Sequence, residues 1–392
     1  MENYSAIKRI WMLAVREWRI LTHRRLYPFV MVGAPVLCVI FFLTLMQVGL
    51  PKGLPTAVVD KDNSSVSRQL VRTLDNFKQS DVVVKCQSFK EARELMQEGK
   101  VYGIYYIPAE FEHDVLSFRQ PTISFYTNTA YIVAGSLEFQ DLKTISVLGG
   151  AAVGKEMRLA KGQTEEQAMK ELQPINIETH PLGNPWINYS VYLSNVILPG
   201  LLCAIIVITT VFAMGSEVKN RRSRELIYLS GDNMLVLMIG KLLPHILIYM
   251  LMATFIDVCL YSFMGFPCQN GLGSMLIVSY LFVLACISFA VALYALIPKM
   301  RVSLSLSAFY TMLSFSISGF TFPVEEMHHI LQVWSKCFPL RHYFLLYVNN
   351  ALDGRAFCYA WGSYAALVIF MLLPLLTAKR LRTVYKYDVY EP

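Results

Sequence analysis

Residues 27–48 read YPFVMVGAPVLCVIFFLTLMQV, an apolar run without one charged side chain. As a helix it is long enough to cross a hydrocarbon core of about 30 Å. The basic stretch before it is long, the run exceeds the roughly 7–15 apolar residues of a signal peptide, and no small-residue cleavage site follows, so it reads as an uncleaved anchor. Immediately upstream, residues 5–25 place Ile7, Ile10, Trp11, Ala14, Trp18 and Leu21 at helical spacing, with Arg9, Arg16, Arg19 and His23 on the opposite side. That pattern predicts an amphipathic helix lying on a membrane surface.

Downstream, apolar stretches recur at residues 191–214, 240–263, 274–297, 304–322 and 357–376, which with the first makes six spans. Composition agrees, because 55% of the 392 residues are hydrophobic and only 16% charged, against about 25% charged in soluble domains. The net charge of +7 is not spread evenly. The short segments 1–26, 215–241, 298–301 and 378–392 hold 17 Lys and Arg against 7 acids. The positive-inside rule therefore puts both termini in the cytoplasm. No Arg/Lys patch interleaves with aromatics, so nucleic acid is excluded as a partner.

The insert between the first two spans has a different texture, with 15 Lys and Arg balanced by 17 acids over residues 51–185. TAVVD, DVVVKC, VYGIYYI and TISFYT read as short strands, and helical stretches fall near residues 66–77, 89–98, 109–118 and 132–172. Strands alternating with helices predict a small α/β domain, here on the outer face. The strand-like INIETHP at residues 175–181 leads back to the membrane, where Trp186 and Tyr189 are placed like interfacial anchors.

The expected architecture is an α-helical integral membrane protein with six transmembrane helices and an inserted extracytoplasmic α/β domain. Its parts are a cytoplasmic amphipathic helix (1–26), a first span (27–50), the outer domain (51–185), a five-helix membrane domain (186–377) and a cytoplasmic tail (378–392). The membrane domain includes a cytoplasmic segment at 215–241 and an outer segment at 323–345.

Catalytic motifs are not in view. Residues 149–155, GGAAVGK, have the spacing of a phosphate-binding loop, but Glu156 stands where a magnesium-binding Ser or Thr is needed and the flanks look helical. His328 and His329 are adjacent rather than one turn apart, so they cannot share a metal as a helical pair. Neighbouring Glu325 and Glu326 diverge by about 100° on a helix and make poor acid–base partners. None of the eight cysteines has a C-x2-C neighbour. Cys86 stands alone in the insert, so no disulfide staples that domain internally, while Cys268, Cys337 and Cys358 lie where an outer pairing could form. Asp257 is the one carboxylate placed in hydrocarbon, where a polar group serves either a pathway or helix packing.

The cytoplasmic segment 215–241 reads GSEVKNRRSRELIYLSGDNMLVLMIGK, charged first and then apolar at Leu226, Ile227 and Leu229. It resembles the cytoplasmic segment of ABC-2 type transporter permeases, E-x-x-G-T-x-E-x-L-x-x-S-P followed by G-K-L-L-P. Glu225, Ser230 and Gly240-Lys241-Leu242-Leu243-Pro244 fall at the family spacing. Arg222-Ser223 replaces Gly-Thr, Gly231 replaces Pro, and Glu217 is offset from the first glutamate of the pattern. Residues 318–343 resemble the family's partly re-entrant outer segment, and residues 58–74 resemble the opening of its extracytoplasmic domain.

The resemblance implies a non-enzymatic permease of the cell inner membrane that exports its substrate. Its partners would be an ATP-binding subunit, a second copy or paralogue, membrane lipid and, for a domain this large, a periplasmic adaptor. No cofactor is expected in this chain, since ATP would bind the partner. The residues implied in coupling are Glu217, Arg221, Arg222, Glu225 and Ser230. Two other readings compete: a secondary transporter or channel, whose usual repeats and several buried ionisable groups this sequence does not display, and a membrane-anchored sensor or assembly factor, which would not need five further spans.

Overall fold

The computed structural model describes residues 5–47, 49–117, 119–172, 183–184 and 188–387. The stretch at 175–181 and the anchor Trp186 lie outside them. The chain divides into two compact units, Met1–Gly49 with Pro181–Pro392, and Leu50–His180.

In the first unit, helix α1 (Ala6–His23) is capped by the Ser5 hydroxyl, which accepts from the Lys8 amide. Helix α2 (Leu26–Leu45) follows, with a π turn at Phe29–Gly33 between Pro28 and Pro35. Then come α8 (Tyr189–Lys219), the short α9 (Ser223–Ser230), α10 (Met234–Phe263), α11 (Gly271–Leu296), α12 (Met300–Ile317), α13 (His329–Ser335), α14 (Pro339–Tyr347) and α15 (Trp361–Tyr387). Helix α11 is central and meets α8, α10, α14 and α15. Its inward residues include the small Ser279, Ala285, Cys286, Ala290 and Ala295, which let backbones approach where no hydrophobic drive operates between helices.

Among the described residues, five helices are long and apolar enough to cross a membrane: α2, α8, α10, α11 and α15. The sixth expected span is α12, and it falls short of that measure. It has 18 residues and carries a buried hydroxyl row, Ser303, Ser307, Thr311 and Ser314, at helical spacing. Ser307 and Thr311 each donate back to the carbonyl four residues earlier, at 2.7 and 2.9 Å, which satisfies the hydroxyls within the helix. The outer segment expected at 323–345 forms a 3-10 turn and helices α13 and α14, with Pro339, Leu340, Tyr343 and Leu346 buried.

The second unit is a four-stranded sheet ordered β2-β1-β3-β4, from β1 (Leu54–Asp60), β2 (Ser80–Lys85), β3 (Gly103–Ile107) and β4 (Ser124–Thr127). The strands β2, β1 and β3 are parallel and β4 is antiparallel to β3. The parallel pairs need crossovers, supplied by α3 (Ser65–Asp75) and α4 (Phe89–Gln97), whose N-caps are Ser64 and Ser88. Helix α5 (Phe111–Leu116) precedes β4, and α6 (Ile132–Ala160) and α7 (Glu165–Leu172) follow it. The single long helix expected at 132–172 is therefore broken, at Gly162 with φ +84°. Side chains of β1 alternate between two cores, Val58 facing Leu70, Leu74 and Leu142, and Ala57 and Val59 facing Ala92 and Val101. Helices cover both faces, as a mainly parallel sheet requires.

Candidate coupling site

Helix α1 lies against α10, and Gly240 makes that possible: a Cβ there would come within 2.7 Å of Leu13 Cβ and 3.0 Å of the Ile10 carbonyl oxygen. The inward face of α1 is Leu13, Ala14, Glu17 and Leu21, while Ile7, Trp11 and Trp18 stay exposed. The expected apolar stripe is thus split. Ala14 and Leu21 serve the protein core, and Ile7, Trp11 and Trp18 face outward.

Because Glu17 sits on the packed face, it enters the protein beside Lys241 of α10. The Lys241 ammonium is 1% exposed and lies 2.8 Å from Glu17 Oε2 and 2.8 Å from Glu217 Oε1 at the end of α8. His245, one turn along α10, places Nε2 3.1 Å from Glu17 Oε1. Arg16 closes the arrangement with a fork on Glu217, both contacts at 3.1 Å, and reaches Glu225 of α9 at 3.6 Å. Two buried carboxylates face two cations, with Glu225 at the rim. Burial pushes the Glu17 carboxyl up, but Lys241 and His245 outweigh it and bring the group down to about 2. The cluster ties α1, α8, α9 and α10 together at one end of the helix bundle.

Helix α9 ends at Gly231, whose φ of +68° provides a left-handed cap. Proline cannot adopt that angle, so the departure from the family pattern at this position has a local geometric cause. Asn233 then caps α10 by accepting from the Leu235 amide at 3.0 Å. Asp232 holds the last helix, with Arg382 Nε at 2.9 Å from Oδ1 and Lys386 Nζ at 3.0 Å from Oδ2.

Of the five residues implied in coupling, Arg221, Arg222 and Glu225 are exposed, whereas Glu217 and Ser230 are buried. Glu217 belongs to the ion cluster, and the Ser230 hydroxyl donates to the Ile227 carbonyl at 2.8 Å. Leu226 and Ile227, the apolar residues that follow the charged part of the segment, are buried in the chain's own core, leaving Tyr228 outside at 73% exposure. Sequence reasoning does not single out Glu17, Arg16, Lys241 and His245 as site residues. The signals of them are indirect: Lys241 stands in Gly-Lys-Leu-Leu-Pro, and Glu17 is an acid inside the otherwise basic, apolar run AVREWRIL.

Asp257 is fully buried just before the π turn Val258–Phe263, and its Oδ2 has no partner among the described residues. The cavity beside it, between Pro199, Ser279 and Tyr343, measures about 10 Å³. That is room for one water and for no substrate. The GGAAVGK stretch lies inside α6 rather than in a loop. All eight cysteines are free, Cys268, Cys337 and Cys358 included, and Cys203 and Cys286 bring their sulfurs to 3.3 Å. No group of metal-ligating side chains occurs among the described residues.

A helical bundle of lipid-length spans, with a charged cluster at one end and an α/β insert after the first span, defines a multi-pass membrane protein. Residues 25–378 match the family model described as ABC-2 family transporter protein, and the chain belongs to that family. It is accordingly a permease of an ABC transporter, in a family of non-enzymatic transport subunits that typically work with an ATP-binding subunit. Comparison with curated proteins gives no match.

Proposed function

We propose that this chain is the permease of an exporter in the cell inner membrane, and that a cytoplasmic ATP-binding subunit drives it through α9 and α1. The observation that supports the reading most is Lys241, a fully buried cation held by one carboxylate from α1 and one from α8. A push on α9 or α1 cannot move either element independently without separating buried charges, which costs several kcal/mol. The elements therefore shift as a block, and α8 and α10 carry that shift into the membrane domain. In this reading α12 is the sixth span, both termini are cytoplasmic, and the pathway forms against a second copy or paralogue. The outer domain meets a periplasmic adaptor.

Arg221, Arg222 and Glu225 form the docking surface, and Glu217 and Ser230 hold it in place from inside. Affinity purification from native membranes, with assay of copurifying ATPase, tests the reading. The wild-type chain is expected to bring down an ATP-binding subunit. Glu225→Arg and Arg222→Glu are each expected to reduce its recovery on the order of tenfold, as loss of a buried interface charge contact implies, with unchanged membrane insertion. Arg222 is exposed and stands outside the ion cluster, so its variant separates docking from internal damage. Purification of the chain without any ATPase, or equal recovery by both variants and the wild type, overturns the proposal.

A further inference from the structure

Helix α6 carries Gly149, Gly150 and Gly154 in its interior, where glycine weakens a helix relative to alanine. Two of them have a packing reason. A Cβ on Gly149 would stand 2.5 Å from Leu70 Cδ2, and one on Gly154 would stand 2.8 Å from Leu172 Cδ2. Gly150 has none, since its Cβ would meet nothing within 4 Å. It opens instead onto a cleft between α3, α5 and α6.

The cleft has two lobes, of about 640 and 670 Å³, which share Leu70, Val115, Gly149, Val153 and Met157 and so run into one another. Each lobe is in the size range of small-molecule sites. The first is walled by aliphatic side chains, Val66, Leu70, Ile145, Leu148 and Leu116, with Gln69, Thr73 and Glu156 alone supplying polar groups. Leu116 is 72% and Leu148 53% exposed, an apolar surface left open on a domain that the sequence places in water. Polar groups gather at the second lobe, where Arg119, Gln120 and Thr122 line the mouth. Asp114 approaches the guanidinium of Arg119 only to 3.8 Å, too long for a hydrogen-bonded pair.

The geometry points to a binding site in the outer domain for an amphiphile with an alkyl chain and an anionic head. The chain would occupy the aliphatic lobe beside Gly149 and Ala152, and the head would meet Arg119 in the lobe onto which Gly150 opens. Walls this predominantly aliphatic suit methylene groups and give a polar ring few partners. The concave, continuous shape and the cation at one end fit one such molecule. This site does not rest on the coupling reading, because it needs neither ATP nor a partner.

The test uses the full chain in lipid nanodiscs and a long-chain fatty acid with a diazirine near its methyl end, photolysed and mapped by peptide mass spectrometry. Adducts on peptides containing residues 66–73 and 145–157 are expected, beside adducts on the spans from probe dissolved in the bilayer. Ala152→Trp, which fills the first lobe, is expected to remove the outer-domain adducts and leave those on the spans, with unchanged protease resistance of the outer domain reporting that it is folded. Arg119→Glu is expected to lower the outer-domain labelling by the fatty acid about fivefold, as an exposed charge contact implies. The same variant should leave labelling by the matching uncharged long-chain alcohol unchanged. Adducts confined to the spans, or outer-domain labelling that ignores Ala152→Trp, overturn the site. Equal loss of both probes in Arg119→Glu overturns the anionic head, and a cleft covered instead by a crosslinked protein overturns the small ligand.

Discussion

The membrane unit and the outer domain each bury a pair of carboxylates brought together from the fold, Glu17 with Glu217 and Glu138 with Asp141, and they keep them in opposite ways. In the membrane unit, Glu17 and Glu217 share Lys241 and are flanked by Arg16, so charge is answered by charge. In the outer domain, Glu138 and Asp141 of α6 lie against β1 and β2, where Thr56 donates to Glu138 and the Ser80 hydroxyl donates to Asp141 Oδ2 at 3.0 Å. Hydroxyls, and no cation, meet this second pair among the described residues. Burial pushes the Glu138 carboxyl up to about 7, the Thr56 hydroxyl opposing and Asp141 adding to the rise. The carboxylates of one cluster are answered by counter-ions and Glu138 of the other by a proton, so Glu138 takes up its proton near neutral pH.

Lys241→Met tests this contrast hardest. It leaves Glu217 held by Arg16 and Glu17 held only by His245, and removal of one member of a buried ion cluster costs about 3–5 kcal/mol. Thermal unfolding of the purified chain should show the loss, with earlier proteolytic release of α1. Adding Glu17→Gln to Lys241→Met should recover part of the stability, because a neutral amide no longer demands a counter-ion. A simple sum of the two single effects would mean the pair is not coupled.

Glu138→Gln probes the other side and has the opposite sign. With its folded value at about 7 and its ordinary value at 4.5, Glu138 holds a proton in the folded chain that the unfolded chain has released over that interval. The folded state then binds more protons, so stability falls as pH rises through the window and is lowest above about 7. At about pH 8 the neutral amide should therefore stabilise the outer domain by about 2–3 kcal/mol, since each tenfold difference in proton affinity between the two states is worth roughly 1.4 kcal/mol. Pulse proteolysis within residues 132–160, compared at about pH 8 and about pH 5, should lose its pH dependence in the variant. Persistence of the wild-type slope in Glu138→Gln would assign the response to another group.

Both clusters are harder to read from the sequence than the elements that carry them. Charge-free runs announce the apolar helices, and strand texture announces β1 to β4, because each depends on local spacing. The clusters join residues far apart in the chain: Glu17 meets Lys241 across 224 positions and Thr56 meets Glu138 across 82. No local pattern encodes such a meeting. Lys241 is visible as part of Gly-Lys-Leu-Leu-Pro, yet its burial depends on the approach of α1 over Gly240. The apolar stretch at 304–322 reads as a span like the others, and its hydroxyls become informative only once the buried face they share is known. Likewise Gly231 looks like a missing proline until its positive φ gives it a reason.

That glycine gives a smaller effect, since Gly231→Ala must hold a side chain at φ +68° and should cost roughly 1–2 kcal/mol. The loss should appear as faster proteolysis between α9 and α10, with the ion cluster otherwise intact.

The smallest effect belongs to the exposed counterpart of the buried cluster. Asp232 also has two cations, Arg382 and Lys386, and their hydrogen bonds bring its carboxyl down to about 2. By ion-pair geometry alone it matches Glu17. Its side chain is 41% exposed, however, so water already stabilises the charge that the partners would stabilise. Asp232→Asn should therefore leave the unfolding temperature close to that of the wild type, and added salt should erase any difference that remains. If the loss instead rivals that of Lys241→Met, the number of partners rather than their removal from water sets the strength of these clusters, and the contrast between the two fails at its physical root.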